Sequence, residues 1–271
     1  HALAKRLGIA TVTGEALQAI PMERLLAASR PPYAPIIDGR ILTRHPFDPD
    51  APSQSLDIPL MAGNVATETR IHLFGSNPAN FRLDADEVRR RLARFLRVDD
   101  DRARGIMSAY QAADPAATPG DILGAVTTDY TYIRNTRRVA TLQALAGRAP
   151  VFSYLFMRRT PVHGGILRAP HASELAFVFG TTDAAADLVG TGPDVAPMTR
   201  IMIATWSAFA RNGDPTNALL PHWPRHDGRE NRSMLLNVKS EVQRDPGGEA
   251  RAALEGLPWF EYGMSTQYGQ P

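Results

Sequence analysis

Residues 59-PLMAGNVATE-68 read as a short buried strand followed at once by an acid. The run 59–65 is apolar, bounded by polar stretches and too short for a helix, so a strand ending near Gly63-Asn64 is expected. Glu68 then stands on the loop leaving that strand. Further along, 151-VFSYLFM-157 is rich in β-branched and aromatic residues and predicts a second strand. A Gly- and Pro-containing loop, 163-HGGILRAP-170, leads from it to His171 and the apolar stretch 172-ASELAFVFG-180. Loops just outside strand ends are where an α/β sheet carries its working side chains.

Between and around these strands the pattern is helical. Asp84 caps a helix in which Val88, Leu92, Phe95 and Leu96 form one apolar face, with Glu87 expected to reach back and complete a capping box. Residues 113–121, rich in Ala, Pro and Thr, read as a surface loop. A second helix is expected over 128–146, stopped by Gly147 and Pro150. A third runs from about 194 to 211, with Val195, Met198, Met202, Trp206 and Phe209 on one side and Asn212-Gly213 at its end. Short strands are expected at 233–238 and 241–245. Residues 1–30 read as short helical pieces, one opened by Pro21, with Leu25 and Leu26 on its apolar side. Pro31-Pro32 then breaks the helix, and 33–42 is extended with a turn at Asp38-Gly39. Three prolines keep 43–57 in loop. No repeat or linker divides the chain, so 1–271 is expected to belong to one domain of α/β class.

Composition narrows the chemistry. The 271 residues carry 30 Lys+Arg against 28 Asp+Glu, a near balance that gives no reason to expect a nucleic-acid partner. The densest basic stretch, Arg89-Arg90-Arg91 with Arg94 and Arg97, reads as the wet face of a helix. No apolar run approaches the ~20 residues that span a bilayer. Cysteine is absent, which excludes thiol nucleophiles, disulfides and Cys-ligated metals but fixes no compartment. The first residue is His1, with no signal-peptide pattern, which suggests a processed product or a fragment.

Seven histidines invite a metal test. His222 and His226 are interrupted by Pro224 and cannot share a helical face. His163 and His171 lie eight apart in a Gly/Pro loop. Neither pair has an acidic ligand at motif spacing, so no metal and no cofactor are expected. Glu68 and His171, each on its own, are also ordinary loop residues. Together they supply two parts of an acyl-transfer triad. The carboxylate fixes the imidazole's tautomer, and the other ring nitrogen takes a proton from a hydroxyl nucleophile. In one order of such triads the serine comes first, in GxSxG. No serine upstream of Glu68, Ser29 and Ser53 included, has those glycines.

Ordered pieces along the chain resemble the type-B carboxylesterases, the family of the para-nitrobenzyl esterases and cholinesterases. These are 16-ALQAIPMERLLAA-28, 35-PIIDGRIL-42, 60-LMAGNVATETRIHLF-74, 128-TDYTYIRNTRRVA-140, 151-VFSYLF-156, 171-HASELAFVFG-180 and 206-WSAFARNGDPTN-217, with His222-Trp223-Pro224 and Asp227 beyond them. The resemblance is to the family's C-terminal half. It implies the C-terminal portion of an α/β-hydrolase fold, with a mostly parallel central sheet flanked by helices and completed by an absent N-terminal half. It implies Glu68 as triad acid and His171 as triad histidine, with the nucleophile and oxyanion hole outside this chain. The chain alone is then expected to be inactive, and its partners to be that N-terminal half and a small ester. Thr67 and Thr69 flank Glu68 where the family often has Asp and Gly. Two other readings compete: a non-catalytic cholinesterase-like binding module, and a metal hydrolase using the histidines. Phe74 and Phe81 in the 69–83 loop, and the 158–170 loop, are expected near the site. Phe177, Phe179 and Trp206 are expected in the core.

Overall fold

The computed structural model describes residues 2–29 and 35–260. They fall into two compact units, one within His1–Thr43 and one within Arg44–Glu261. The first holds three short helices, α1 (Ala2–Leu7), α2 (Gly14–Gln18) and α3 (Met22–Ala28). Thr13 caps α2 by accepting the Ala16 N–H, and Pro21 sits at the N-cap of α3. Leu26 is exposed rather than packed. The expected turn is present: the Asp38 carboxylate accepts the N–H groups of Arg40, Ile41 and Leu42 around Gly39. The break at Pro31-Pro32 lies outside the described residues.

The second unit is built on a four-stranded sheet in sequence order. Strands β1 (Leu60–Val65), β2 (Val151–Phe156) and β3 (Arg232–Leu236) are parallel, and β4 (Glu241–Arg244) returns antiparallel beside β3. Leu60 pairs with Val151 and Val65 with Phe156. Within that register Gly63 lies opposite Tyr154, and a Cβ there would fall 2.4 Å from the tyrosine ring and from its carbonyl oxygen. Glycine is therefore required by close approach of the strands.

The helices of this unit are α4 (Arg70–Ser76), α5 (Ala85–Leu96), α6 (Asp100–Ala113), α7 (Pro119–Thr128), α8 (Arg134–Ala146), α9 (Ser173–Val178), α10 (Ala186–Val189), α11 (Val195–Asn212) and α12 (Gly248–Arg251). On one sheet face Phe152, Phe156 and Met234 pack with Phe177 of α9 and Met198 and Met202 of α11. A second core joins Val88, Leu92 and Leu96 of α5 to Ile106 and Tyr110 of α6 and Leu123 and Val126 of α7. The result is a largely helical α/β fold with a small, mostly parallel sheet flanked by helices, matching part of an α/β-hydrolase architecture.

Several details depart from the sequence reading. Asp84 does cap α5, accepting the Glu87 N–H at 2.8 Å, but the Glu87 carboxylate turns to Arg90 and Arg91 instead of reaching back. Arg91 is not on a wet face: it is buried and donates to Asn80 Oδ1 at 2.8 Å. The expected loop 113–121 already contains the start of α7, where Thr118 and Asp121 form a reciprocal capping box and Pro119 takes the first turn. A π-helical turn, Asp129–Ile133, then joins α7 to α8. Residues 69–83 are α4 and a 3-10 turn, Pro78–Arg82, rather than loop. Phe179 is 73% exposed at the end of α9, whereas Phe177, two residues earlier, is fully buried. A short helix has one inward side, and Phe179 falls off it.

Candidate active site

The acid sits in the turn between β1 and α4, at the C-terminal end of the parallel strands. Its carboxylate is buried and fully used. Oε1 accepts the Val65 N–H at 3.0 Å and the Asn64 side-chain N–H at 3.2 Å. Oε2 lies 2.6 Å from His171 Nδ1. The two residues, 103 positions apart in sequence, meet because β1 and β2 are parallel neighbours and both connections leave the same sheet edge.

The flanking threonines tie this turn to its neighbours. Thr67 accepts the Ala169 N–H on Oγ1 at 2.9 Å and donates its own N–H to the Ala169 carbonyl at 3.1 Å. Thr69 is buried against α7, with Oγ1 2.7 Å from Thr127 Oγ1 and 3.0 Å from Thr128 Oγ1. Arg70 adds a third tie, donating to the Ile166 carbonyl at 2.6 Å and to Asp121 at 2.7 Å, with its guanidinium over the Phe81 ring. Phe81 thus packs under Arg70, and Phe74 stacks on His163 at 4.5 Å between ring centroids.

His171 opens the other wall. Its side chain is 46% exposed while Glu68 is almost fully buried, so the imidazole is held on one edge and open on the other. Because a carboxylate only accepts, Nδ1 carries the proton and Nε2 is left as a base. The hydrogen bond to Glu68 raises the imidazole's pKa above its ordinary value, against the opposing effect of burial. Ala172, the next residue, has φ 64°, an uncommon left-handed conformation for a residue with a Cβ, and it turns the chain into α9. Two further rings border His171: His72 of α4 at 5.6 Å and Tyr132 of the π-helical turn at 5.4 Å. Burial lowers the His72 pKa, with the neighbouring His171 adding to the effect. Neither ring is signalled by sequence spacing. The functional hint is the π-turn itself, which becomes visible only in the backbone. Glu174, in the first turn of α9, has its carboxyl pKa raised, chiefly by burial.

The other histidine candidates are not brought together. His222 is exposed, and His226 is buried with its backbone N–H on the Val151 carbonyl. Among the described residues no group of three or more His, Asp or Glu side chains is placed to hold a metal ion. None of the described helices is long and apolar enough to cross a membrane. Ser55, a further serine upstream of Glu68, lies against Gln143 of α8, with Oγ 3.2 Å from Gln143 Oε1.

Comparison with known proteins gives the family and the fold. Residues 2–253 match the carboxylesterase family. The phenmedipham hydrolase of Pseudarthrobacter oxydans is 31% identical over 263 residues, covering 90% of this chain and 50% of that protein. The human cocaine esterase is 34% identical over 104 residues, 36% of this chain and 18% of the enzyme. Among solved structures, a Geobacillus stearothermophilus carboxylesterase superposes with a TM-score of 0.71 at 30% identity, covering 93% of this chain and 53% of that one. A PNB esterase shares the fold, with a TM-score of 0.65 at 22% identity. The chain spans about half the length of the phenmedipham hydrolase and of both solved structures. By family match, by fold and by relatives of hydrolase chemistry, it belongs to the carboxylesterase family.

Proposed function

We propose that this chain is the C-terminal part of a single carboxylesterase domain and supplies the acid and the base of a serine-dependent ester hydrolase. Glu68 is the triad acid and His171 the general base. The serine in GxSxG and the oxyanion donors come from a segment outside this sequence. The observation that carries this reading is the 2.6 Å contact between Glu68 Oε2 and His171 Nδ1, with the opposite edge of the imidazole open.

In that mechanism His171 Nε2 takes the serine proton as Oγ attacks the ester carbonyl. Glu68 stabilises the imidazolium that forms. Backbone N–H groups of the other segment hold the oxyanion. His171 then gives the proton to the departing alcohol and activates water for deacylation. The competing reading, a non-catalytic binding module, loses ground because acid and histidine stand in hydrogen-bonded contact at the mouth of the parallel strands.

The test is hydrolysis of p-nitrophenyl acetate by the 271-residue chain and by the longer protein containing it. The longer protein loses roughly 1,000-fold or more of its rate on His171→Ala, and its reactive serine is labelled by a fluorophosphonate outside this sequence. The chain alone shows no rate that depends on His171. A His171-dependent rate from the chain alone would place the nucleophile inside it and overturn the proposal.

A further inference from the structure

The loop that carries His171 holds much of its backbone in the left-handed region. Positive φ occurs at Gly164 and Gly165, and also at His163 (52°), Arg168 (56°) and Ala172 (64°), three residues with a Cβ. Such a backbone persists only where its surroundings hold it in place. Most of that hold comes from the side of the acid: Thr67 bonds Leu167 and Ala169, and Arg70 bonds the Ile166 carbonyl. Among the described residues one ion pair of this loop goes to a different element, that of Arg168 with Asp121 of α7 at 2.9 Å.

Asp121 is itself placed by packing. It stands between Gly120 and Gly124, where a Cβ would fall 2.6 Å from the Phe81 Cα and 3.3 Å from the Arg70 Cγ, so α7 lies directly against the segment that follows Glu68. Both carboxylate oxygens are engaged. Oδ1 accepts from Arg70 at 2.7 Å and from Arg168 at 2.9 Å, and Oδ2 accepts the Thr118 N–H at 3.1 Å and the Thr118 hydroxyl at 2.9 Å. Burial pushes the carboxyl pKa up, but the hydrogen bonds from Arg70 and Thr118 and the charge of Arg168 outweigh it and hold the group below its ordinary value. One ionised oxygen thus anchors two cations, the first just after Glu68 and the second just before His171.

We propose that Asp121 and Arg168 are positioning residues for His171, the α7 carboxylate fixing through Arg168 where the histidine loop stands. The acid's loop has a further anchor on α7, because the Thr69 hydroxyl bonds the Gly124 carbonyl at 3.0 Å. The histidine's loop has Arg168. When Arg168 is lost, Thr67 still joins the two loops and the Glu68–His171 contact survives, but the histidine loop is free to pivot about that clamp. A displacement of about 1 Å in a catalytic group costs up to ~100-fold in rate. The role rests on His171 being the general base.

The experiment uses the longer protein that contains this sequence, with p-nitrophenyl acetate as substrate and active sites counted by fluorophosphonate labelling taken to completion. Arg168 is partly exposed and tolerates exchange, so Arg168→Gln is the first variant: it keeps most of the stem and removes the charge. Its kcat per labelled site is expected to fall about 10-fold with KM within about twofold, and Arg168→Lys, which restores the charge, recovers most of the loss. Asp121→Asn lowers kcat at least as far and also lowers the unfolding midpoint, since it strips the buried Arg70 of its partner. An unchanged kcat per labelled site in Arg168→Gln overturns the proposal, even where the unfolding midpoint falls. Equal losses in Arg168→Gln and Arg168→Lys overturn it as well. His171→Ala separates the two readings: if it leaves the rate intact, the general base is misassigned and the positioning role falls with it; if it abolishes the rate, the Arg168 variants decide the positioning role by themselves.

Discussion

Thr67 and Ala169 are bonded to each other three times, the Thr67 N–H and hydroxyl donating to the Ala169 carbonyl at 3.1 and 2.8 Å and the Ala169 N–H donating to the hydroxyl at 2.9 Å, across 102 residues of sequence. This clamp joins the loop that carries Glu68 to the loop that carries His171. Thr67→Val keeps the shape and deletes the hydroxyl, leaving the buried Ala169 N–H without its acceptor. A loss of about 1–2 kcal/mol in denaturant unfolding is expected, together with a broadened His171 imidazole resonance. An unfolding midpoint equal to that of the unsubstituted chain would show that the clamp carries no energy.

Glu68→Gln removes the charge that raises the His171 pKa. The His171 titration should fall toward its ordinary value near 6.5, read by NMR of the ring protons. The sign for stability follows from a raised imidazole pKa. The pair contributes fully below the unfolded value and loses its contribution as pH rises through the folded one. Glu68→Gln should therefore destabilise more at pH 5.5 than at pH 9. In a complete enzyme the neutral imidazole is the working form, so the rate rises with pH through that same raised value.

Glu174 behaves in the opposite sense to a paired acid. Its carboxyl pKa is raised by burial, and Oε2 is buried without a partner. The folded chain thus binds this proton more tightly than the unfolded chain, and stability falls as pH rises above the ordinary carboxylate range. Glu174→Gln should gain in melting temperature relative to the unsubstituted chain between pH 4 and pH 8. A difference that does not change with pH would contradict this.

Gly63→Ala tests the strand register. The added Cβ meets both the ring and the backbone oxygen of Tyr154, and backbone cannot rotate aside as a flexible side chain can. A loss of about 3 kcal/mol is expected by denaturant unfolding, with β1 displaced from β2 and the Glu68–His171 contact loosened. Gly75→Ala, where a Cβ meets nothing within 4 Å and the backbone is helical, is the control and should be neutral or slightly stabilising.

The approach of Glu68 to His171 was legible only in part: each follows an apolar run of strand length, but the loop after β2 also carries His163 and three arginines, and it was the family resemblance that singled out His171. The strong helices were legible, as Met198 and Met202 in α11 and Leu92 in α5 fall where period 3.6 puts them. Helix α6 was not, since Ala103, Ile106 and Tyr110 are its few buried residues and its aspartate-rich start reads as solvated chain. The sequence reading gave Glu87 to a capping box because it weighed one partner, while Arg90 and Arg91 on the same helix compete for that carboxylate. The approach of Tyr132 and His72 to His171 is a tertiary fact with no counterpart in spacing.

The π-helical turn at Asp129–Ile133 has a consequence for phase. An α-helix advances about 100° per residue, so the wider turn sets α7 and α8 at different rotations along what is nearly one rod. Before it, Ile122, Leu123 and Val126 point into the helical core; after it, Gln143 faces the loop before β1 and bonds Ser55. At the turn itself Tyr130 joins that core while Tyr132 borders His171. Deleting one residue here would let the wider turn close to an ordinary α-turn and keep α8 near its present rotation, so the helix would survive while the placement of Tyr130 and Tyr132 would not. The extra residue is what lets one continuous helical segment turn neighbouring tyrosines toward two different environments.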